Sequence, residues 1–229
     1  MSALLAAIVL MTTAPTDPVY VALGDSTGVG VGARAGGGYP ARLARRAALR
    51  GDRAQLSNLC VSGARVADVV AGQLAPAVAA RPGVVTLGIG INDVTRGTDL
   101  ADFRRDYERV AEALAGTGAR VVVVNVPDLS RSPLAQGDET RRLVRRRVEA
   151  VNEAIAAAAR RRGFVLVDLF QATGEELVRR ADLLSEDRFH PSDAGYERWT
   201  ELVWPAFEAA LRASASPHPA TLSSGAALR

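Results

Sequence analysis

Five short apolar runs punctuate the chain, each rich in valine and bounded by glycine or polar turn residues: Val19–Leu23, Gln55–Cys60, Val84–Leu87, Arg120–Val126 and Phe164–Leu169. Apolar side chains at successive positions over so few residues predict strands of a parallel sheet covered on both faces. Between them, apolar positions recur at helical spacing over Tyr39–Arg50, Val66–Val78, Ala101–Ala115 and Glu139–Arg161, and a last helix is predicted over roughly Ser192–Leu211. Strand and helix alternate throughout, which predicts a three-layer α/β/α sandwich with right-handed crossovers. In the helix from Glu139, Leu143, Val144, Val148, Val151 and Ile155 are expected to face the core. Arg141, Arg142, Arg145, Arg146 and Arg147 then crowd its outer side and flanks.

A length of 229 residues with 48% hydrophobic positions fits one domain with a sizeable core. Aromatics make up only 5%, so small and branched aliphatic side chains are expected to fill that core. The domain is placed at residues 18–212, with an N-terminal lead at 1–17 and a Ser-, Ala- and Pro-rich tail at 213–229 expected to be disordered. Within the lead, Ala3–Met11 is an apolar stretch of signal-peptide length, with no basic residue before it and too short to span a bilayer. Two readings stand: a secreted protein if residues 3–11 are a signal core, or a cytoplasmic one if translation starts at Met11.

The formal charge is only +3, yet the pI is about 9.6, because all 28 basic residues are arginines. Acids are interleaved with them and stacking aromatics are lacking, so they read as a solvated helix face rather than a nucleic-acid surface. A non-enzymatic alternative keeps the Arg-rich helix as a surface for nucleic acid or anionic lipid. Cys60 is the single cysteine, which excludes an intrachain disulfide and a cysteine metal cluster, and it is expected to be a small buried residue.

Candidate chemistry gathers at predicted strand ends, the edge where open α/β sheets bind ligands. Gly24-Asp25-Ser26-Thr27-Gly28 follows the first strand and puts a hydroxyl at its carboxyl end. Asp187-Arg188-Phe189-His190-Pro191 precedes the last helix, and its spacing lets a carboxylate reach one imidazole nitrogen while the other stays free. The other histidine, His218, lies in the predicted tail. Gly63 follows the second strand and Asn92 the third; a backbone N–H and a side-chain amide are uncharged donors suited to an oxyanion. Two decoys are set aside. Gly24–Gly28 satisfies G-x-S-x-G, but in α/β-hydrolases several strands precede that serine. Gly28–Ala33 fits a dinucleotide fingerprint but starts too late after the strand and lacks an acid at the end of strand two, so Gly28–Gly38 is expected to be a flexible loop.

The four blocks, Gly-Asp-Ser at Ser26, the glycine at Gly63, Gly-x-Asn-Asp at Gly90–Asp93 and Asp-x-x-His at Asp187–His190, resemble those of SGNH (GDSL-type) hydrolases in order and span. His190-Pro191-Ser192-Asp193-Ala194-Gly195-Tyr196 is also similar to the family's usual continuation, while Thr27 stands where the GDSL pattern has leucine. The resemblance implies a five-stranded parallel sheet of flavodoxin-like order 2-1-3-4-5, which would set Gly63, Ser26 and Asn92 side by side. It further implies a serine esterase with a Ser26–His190–Asp187 triad, an oxyanion hole of the Ser26 and Gly63 N–H groups and the Asn92 amide, and no metal or cofactor. Asp25 and Asp93 are then loop-shaping residues. The expected partner is a small-molecule ester of short to medium acyl chain, without nucleic acid or stable membrane insertion; oligomeric state is open. Lysophospholipids, thioesters and acetylated sugars are alternative substrates for the same machinery. The segments Asp128–Asp138 and Gln171–Glu186 are expected to line an open, shallow acyl site, since no long lid insertion is visible.

Overall fold

The computed structural model describes residues 17–215; the possible signal segment, the Met11 start and the tail beyond residue 215 lie outside the described residues. Strands β1 (Val19–Gly24), β2 (Gln55–Asn58), β3 (Val84–Gly88), β4 (Arg120–Val124) and β5 (Val165–Val167) form one parallel sheet in the order β2-β1-β3-β4-β5. Register runs Tyr20↔Leu56 toward β2 and Tyr20↔Val84 toward β3, so β1 is an inner strand, paired with β3 to its last residue at Gly24↔Gly88. All five predicted strands form, but the two outer ones are not buried runs: β2 is half-exposed and Val165 of β5 is exposed, as befits edges.

Helices α2 (Tyr39–Leu49) and α9 (Asp193–Ala215) pair on one face. The other face is covered by α3 (Val66–Asp68), a π turn (Val69–Gln73), α4 (Leu74–Ala79), α6 (Leu100–Ala115) and α7 (Asp138–Arg162). Aliphatic side chains dominate the core, with Tyr20, Tyr39, Phe103, Tyr107, Tyr196 and Phe207 as its large buried rings. Along α7, Val148, Val151 and Ile155 are buried and Val144 partly so, whereas Leu143 is exposed, contrary to its expected inward position. The helix turns solvent-ward before the sheet begins to cover it.

Four further departures concern loops and element boundaries. Ser26–Val29 is a short helix, α1, so the flexible loop expected from Gly28 begins only after Val29. Ile91–Thr95 forms another short helix, α5. The fifth strand stops at Val167 because Asp168 caps helix α8 (Leu169–Arg179), accepting from the Gln171 N–H, while Asn125 Oδ1 accepts from the Leu169 N–H at 2.7 Å. Helix α9 continues to Ala215, past the expected end at Leu211.

Candidate active site

Ser26 owes its position to the tip of β1. Gly24 has φ of +157°, and a Cβ there would stand 2.3 Å from the Gly88 carbonyl oxygen of β3. Only glycine allows that approach, which lets the chain turn sharply into α1. Asp25 is the N-cap: its Oδ1 accepts from the Thr27 N–H at 2.9 Å and the Thr27 hydroxyl at 2.8 Å. Ser26 is thus the first residue of the helix, where an N–H has no intrahelical acceptor. Asp25 is 1% exposed and its Oδ2 has no hydrogen-bond partner. Burial pushes its carboxyl up from 3.8 to about 6, against the pull of the two Thr27 bonds.

At the other end of the domain, the segment Ser185–Ser192 closes on itself. The Ser185 N–H donates to the His190 carbonyl at 2.8 Å, and the Ser192 N–H to that of Leu183 at 2.9 Å. Arg188 takes the left-handed conformation (φ 60°) that a turn this tight demands. Asp187 Oδ1 accepts from the N–H groups of Phe189 and His190, both at 2.9 Å, and from the Ser185 hydroxyl at 2.8 Å. Its Oδ2 lies 2.6 Å from His190 Nδ1. Partial desolvation pushes this carboxyl up, but the hydrogen bonds from His190, Phe189 and Ser185 outweigh it and hold the group well below the usual carboxylate range. His190 Nε2 is 3.0 Å from Ser26 Oγ. With the imidazole proton on Nδ1, such an arrangement can pass a hydroxyl proton to Nε2, and an anionic carboxylate so placed can stabilise an imidazolium.

The two remaining blocks flank β1 at the ends of its neighbours. Gly63 follows β2 with φ of +79°, and Asn92 sits in α5 just beyond β3, 8% exposed. They are tied to each other: Asn92 Nδ2 donates to the Ala64 carbonyl at 3.0 Å, and Asp93 Oδ2 accepts from the Val66 N–H at 3.0 Å. That bond takes one of the two protons the Asn92 amide can donate. Asp25 and Asp93 both shape loops in this way, in keeping with the roles expected of them.

Several supporting residues escaped the sequence reading. Gln73 is 3% exposed and clamps Gly24 from both sides, donating to its carbonyl at 2.8 Å and accepting from its N–H at 2.9 Å. It lies at the end of the π turn, a distortion without a sequence signature. Asn58 donates to the Gly28 carbonyl at 2.9 Å and Asn152 brackets the Val126 backbone. Cys60 is partly buried against α1, and desolvation pushes its thiol far above the ordinary range, which disfavours the thiolate.

Beside Ser26 and His190 opens a narrow cleft of about 50 Å³. Ile91, Leu129, Leu177, Leu184, Phe189 and Trp199 are among its walls, so both segments expected to line an acyl site contribute, though the cleft is tighter than the open site expected. Among the described residues, no group of three or more His, Cys, Asp and Glu could hold a metal, and no helix is long and apolar enough to cross a membrane.

Comparison with known proteins agrees with this architecture. Residues 22–198 match the model of the GDSL-like lipase/acylhydrolase family. Esterase TesA of Pseudomonas aeruginosa is 28% identical over 206 residues, covering 88% of this chain and 94% of its own length. The GDSL-like esterase Rv1075c of Mycobacterium tuberculosis is 30% identical over 202 residues, covering 86% of this chain and 64% of its own. Among solved structures, an acetyl-xylooligosaccharide esterase of Geobacillus stearothermophilus superposes with a TM-score of 0.69 at 21% identity, over 84% of this chain and 94% of that one. The chain therefore belongs to the GDSL-like lipase/acylhydrolase family, the SGNH hydrolases, and is a carboxylic ester hydrolase.

Proposed function

We propose that the protein cleaves carboxylic esters of short acyl groups through an acyl-enzyme on Ser26. The observation that carries this reading is the unbroken relay from Ser26 Oγ to His190 Nε2 (3.0 Å) and from His190 Nδ1 to Asp187 Oδ2 (2.6 Å). His190 takes the Ser26 proton as Oγ attacks the ester carbonyl, and Asp187 holds the ring and stabilises its charge. The oxyanion forms against the N–H groups of Ser26 and Gly63 and the Asn92 amide. His190 passes its proton to the leaving alcohol; a water molecule, deprotonated in turn by His190, then releases the acid and restores Ser26.

The narrow apolar cleft supports short acyl groups: at about 50 Å³ it holds an acetyl or propionyl unit without rearrangement, whereas a long chain has to leave it. Acetyl esters are therefore the substrates to try first, and the acetylated-sugar specificity in the name of the Geobacillus protein points the same way. The domain responsible is placed at residues 18–212.

The test is Ser26→Ala. Hydrolysis of an acetyl ester and labelling by a fluorophosphonate should both disappear, with the loss in kcat exceeding about a thousandfold; retention of either removes Ser26 from the mechanism. On wild type, kcat/KM should fall at least about tenfold between acetyl and dodecanoyl esters of one alcohol, a drop of about 1.4 kcal/mol in transition-state binding. A rising profile overturns the short-chain reading and leaves the triad untouched.

A further inference from the structure

The catalytic cleft opens between two surface grooves that the ester chemistry leaves unused. One, lined by Val94–Gly97, Leu134, Leu143, Val144 and Arg147, shares Leu129, Ser132 and Phe189 with the cleft. The other, lined by Arg131, Pro133, Arg141, Arg142, Arg145 and Val178, shares Leu177 with it. The cleft thus adjoins both grooves, which flank opposite sides of the start of α7 on the face at the carboxyl edge of the sheet.

Two properties coincide on this face. Leu134, Leu143 and Val178 are 54%, 54% and 58% exposed, so three large aliphatic side chains stand in solvent around the cleft. Arg96 and Arg147 in the first groove and Arg141 and Arg142 in the second have no carboxylate within 4.0 Å among the described residues. Arg131 and Arg145 are neutralised by Asp128, Glu175 and Glu149. Among the described residues, neither groove has a carboxylate in its lining. Arg141 and Arg142 also stand near the positive end of the α7 dipole, where cations gain nothing from the helix.

We propose that this face docks on an anionic lipid surface, with Leu134, Leu143 and Val178 entering the headgroup layer and Arg96, Arg141 and Arg142 meeting lipid phosphates. Cations surrounding exposed aliphatic side chains fit an interface that is charged outside and apolar just beneath. Nucleic acid fits less well, because Phe189 is the single aromatic ring in the lining of the two grooves and it is shared with the cleft. Docking here sets the cleft against the membrane, so that a short-acyl ester held in the lipid by a lipophilic alcohol part reaches Ser26 without crossing bulk water.

The test is co-sedimentation of the full chain with vesicles of equal parts phosphatidylglycerol and phosphatidylcholine, against phosphatidylcholine alone. Binding should be confined to the anionic vesicles and weakened by about 0.5 M salt. Arg142→Glu should lower the partition coefficient about tenfold while hydrolysis of a soluble acetyl ester stays within about twofold. The double variant Leu134→Ser/Leu143→Ser should also lower it, with every arginine in place. Equal binding to neutral vesicles, no binding to either, or full binding by both variants overturns the proposal. So does a DNA duplex that competes the protein off the vesicles and shows the same dependence on Arg142, since the face would then serve nucleic acid.

Discussion

Beneath the candidate nucleophile sits a carboxyl group in an unfavourable place, and its titration can be read in stability. Asp25 is buried, bonds Thr27 through Oδ1 alone, and titrates near 6 in the fold rather than at 3.8. Below 3.8 the group is protonated in both states and folding is indifferent to it. Between 3.8 and about 6 the folded protein holds a proton that the unfolded chain has released, so stability falls as pH rises through that window. Above it the full penalty, about 3 kcal/mol, is present. Asp187 works in the opposite sense: its depressed titration adds stability above the ordinary carboxylate range that is lost on acidification. Asp25→Asn keeps the acceptor for Thr27 and removes the charge. From pH 4, where part of the penalty is already present, to pH 8 the variant should therefore gain a little over about 2 kcal/mol on wild type in urea denaturation, while the Asp187 contribution cancels between the two. Parallel pH profiles would show that Asp25 is not the group responsible. None of this could be read from Gly-Asp-Ser, since burial depends on strands that arrive much later in the chain.

Among the elements, periodicity announced most of the long ones, the eleven-residue α8 excepted, and missed the short ones for want of a repeat. An eleven-residue helix such as α2 repeats its apolar stripe three times, whereas Ser26–Val29 and Ile91–Thr95 are single turns with no repeat to detect. Those single turns carry Ser26 and Asn92. The blocks around them were legible as residue patterns, and so were Gly63, Asp187 and His190; what holds them was not. Gln73 is the clearest instance. It occupies a helix predicted as ordinary, and the π turn that aims its amide at Gly24 is set by packing on β1. Gln73→Leu preserves volume but strips the Gly24 N–H and carbonyl of their partner, at a cost of about 3 kcal/mol for two buried groups. Because Gly24 fixes where Ser26 emerges, kcat on an acetyl ester should fall about tenfold at a temperature where circular dichroism shows the variant fully folded, with KM little changed. A variant with wild-type kcat would make Gln73 a stabilising residue alone.

Seen as a whole molecule, the site joins opposite ends of the chain: Ser26 follows the first strand and His190 precedes the last helix, 164 residues later. Their alignment depends on how α9 seats against the N-terminal half, and the seat is polar. Arg42 of α2, 4% exposed, reaches Asp193 at 2.6 Å and also Glu197 on α9; it bonds the carbonyls of Ala35 at 2.6 Å and Gly37 at 3.0 Å and lies over the Tyr196 ring. Tyr196 in turn donates to the Val31 carbonyl at 2.8 Å. One guanidinium thus binds the glycine loop after α1 to the start of α9, and that loop touches the histidine segment, since a Cβ at Gly32 would stand 2.9 Å from His190 Cβ. Arg42→Met removes the tie but leaves the apolar contacts of α2 and α9. Because Asp193 and Glu197 are about half exposed, water takes over their charge, and the cost should be nearer 2 kcal/mol than the 3–5 expected when a fully buried pair is broken. The informative readout is the order of loss. In wild type, esterase activity and far-ultraviolet circular dichroism should disappear at the same urea concentration, as for one cooperative unit. In Arg42→Met the activity midpoint should come first, because the His190 segment detaches locally while the sheet stands. Coincident midpoints in the variant would mean that aliphatic packing alone aligns the two ends and that Arg42 adds only to global stability.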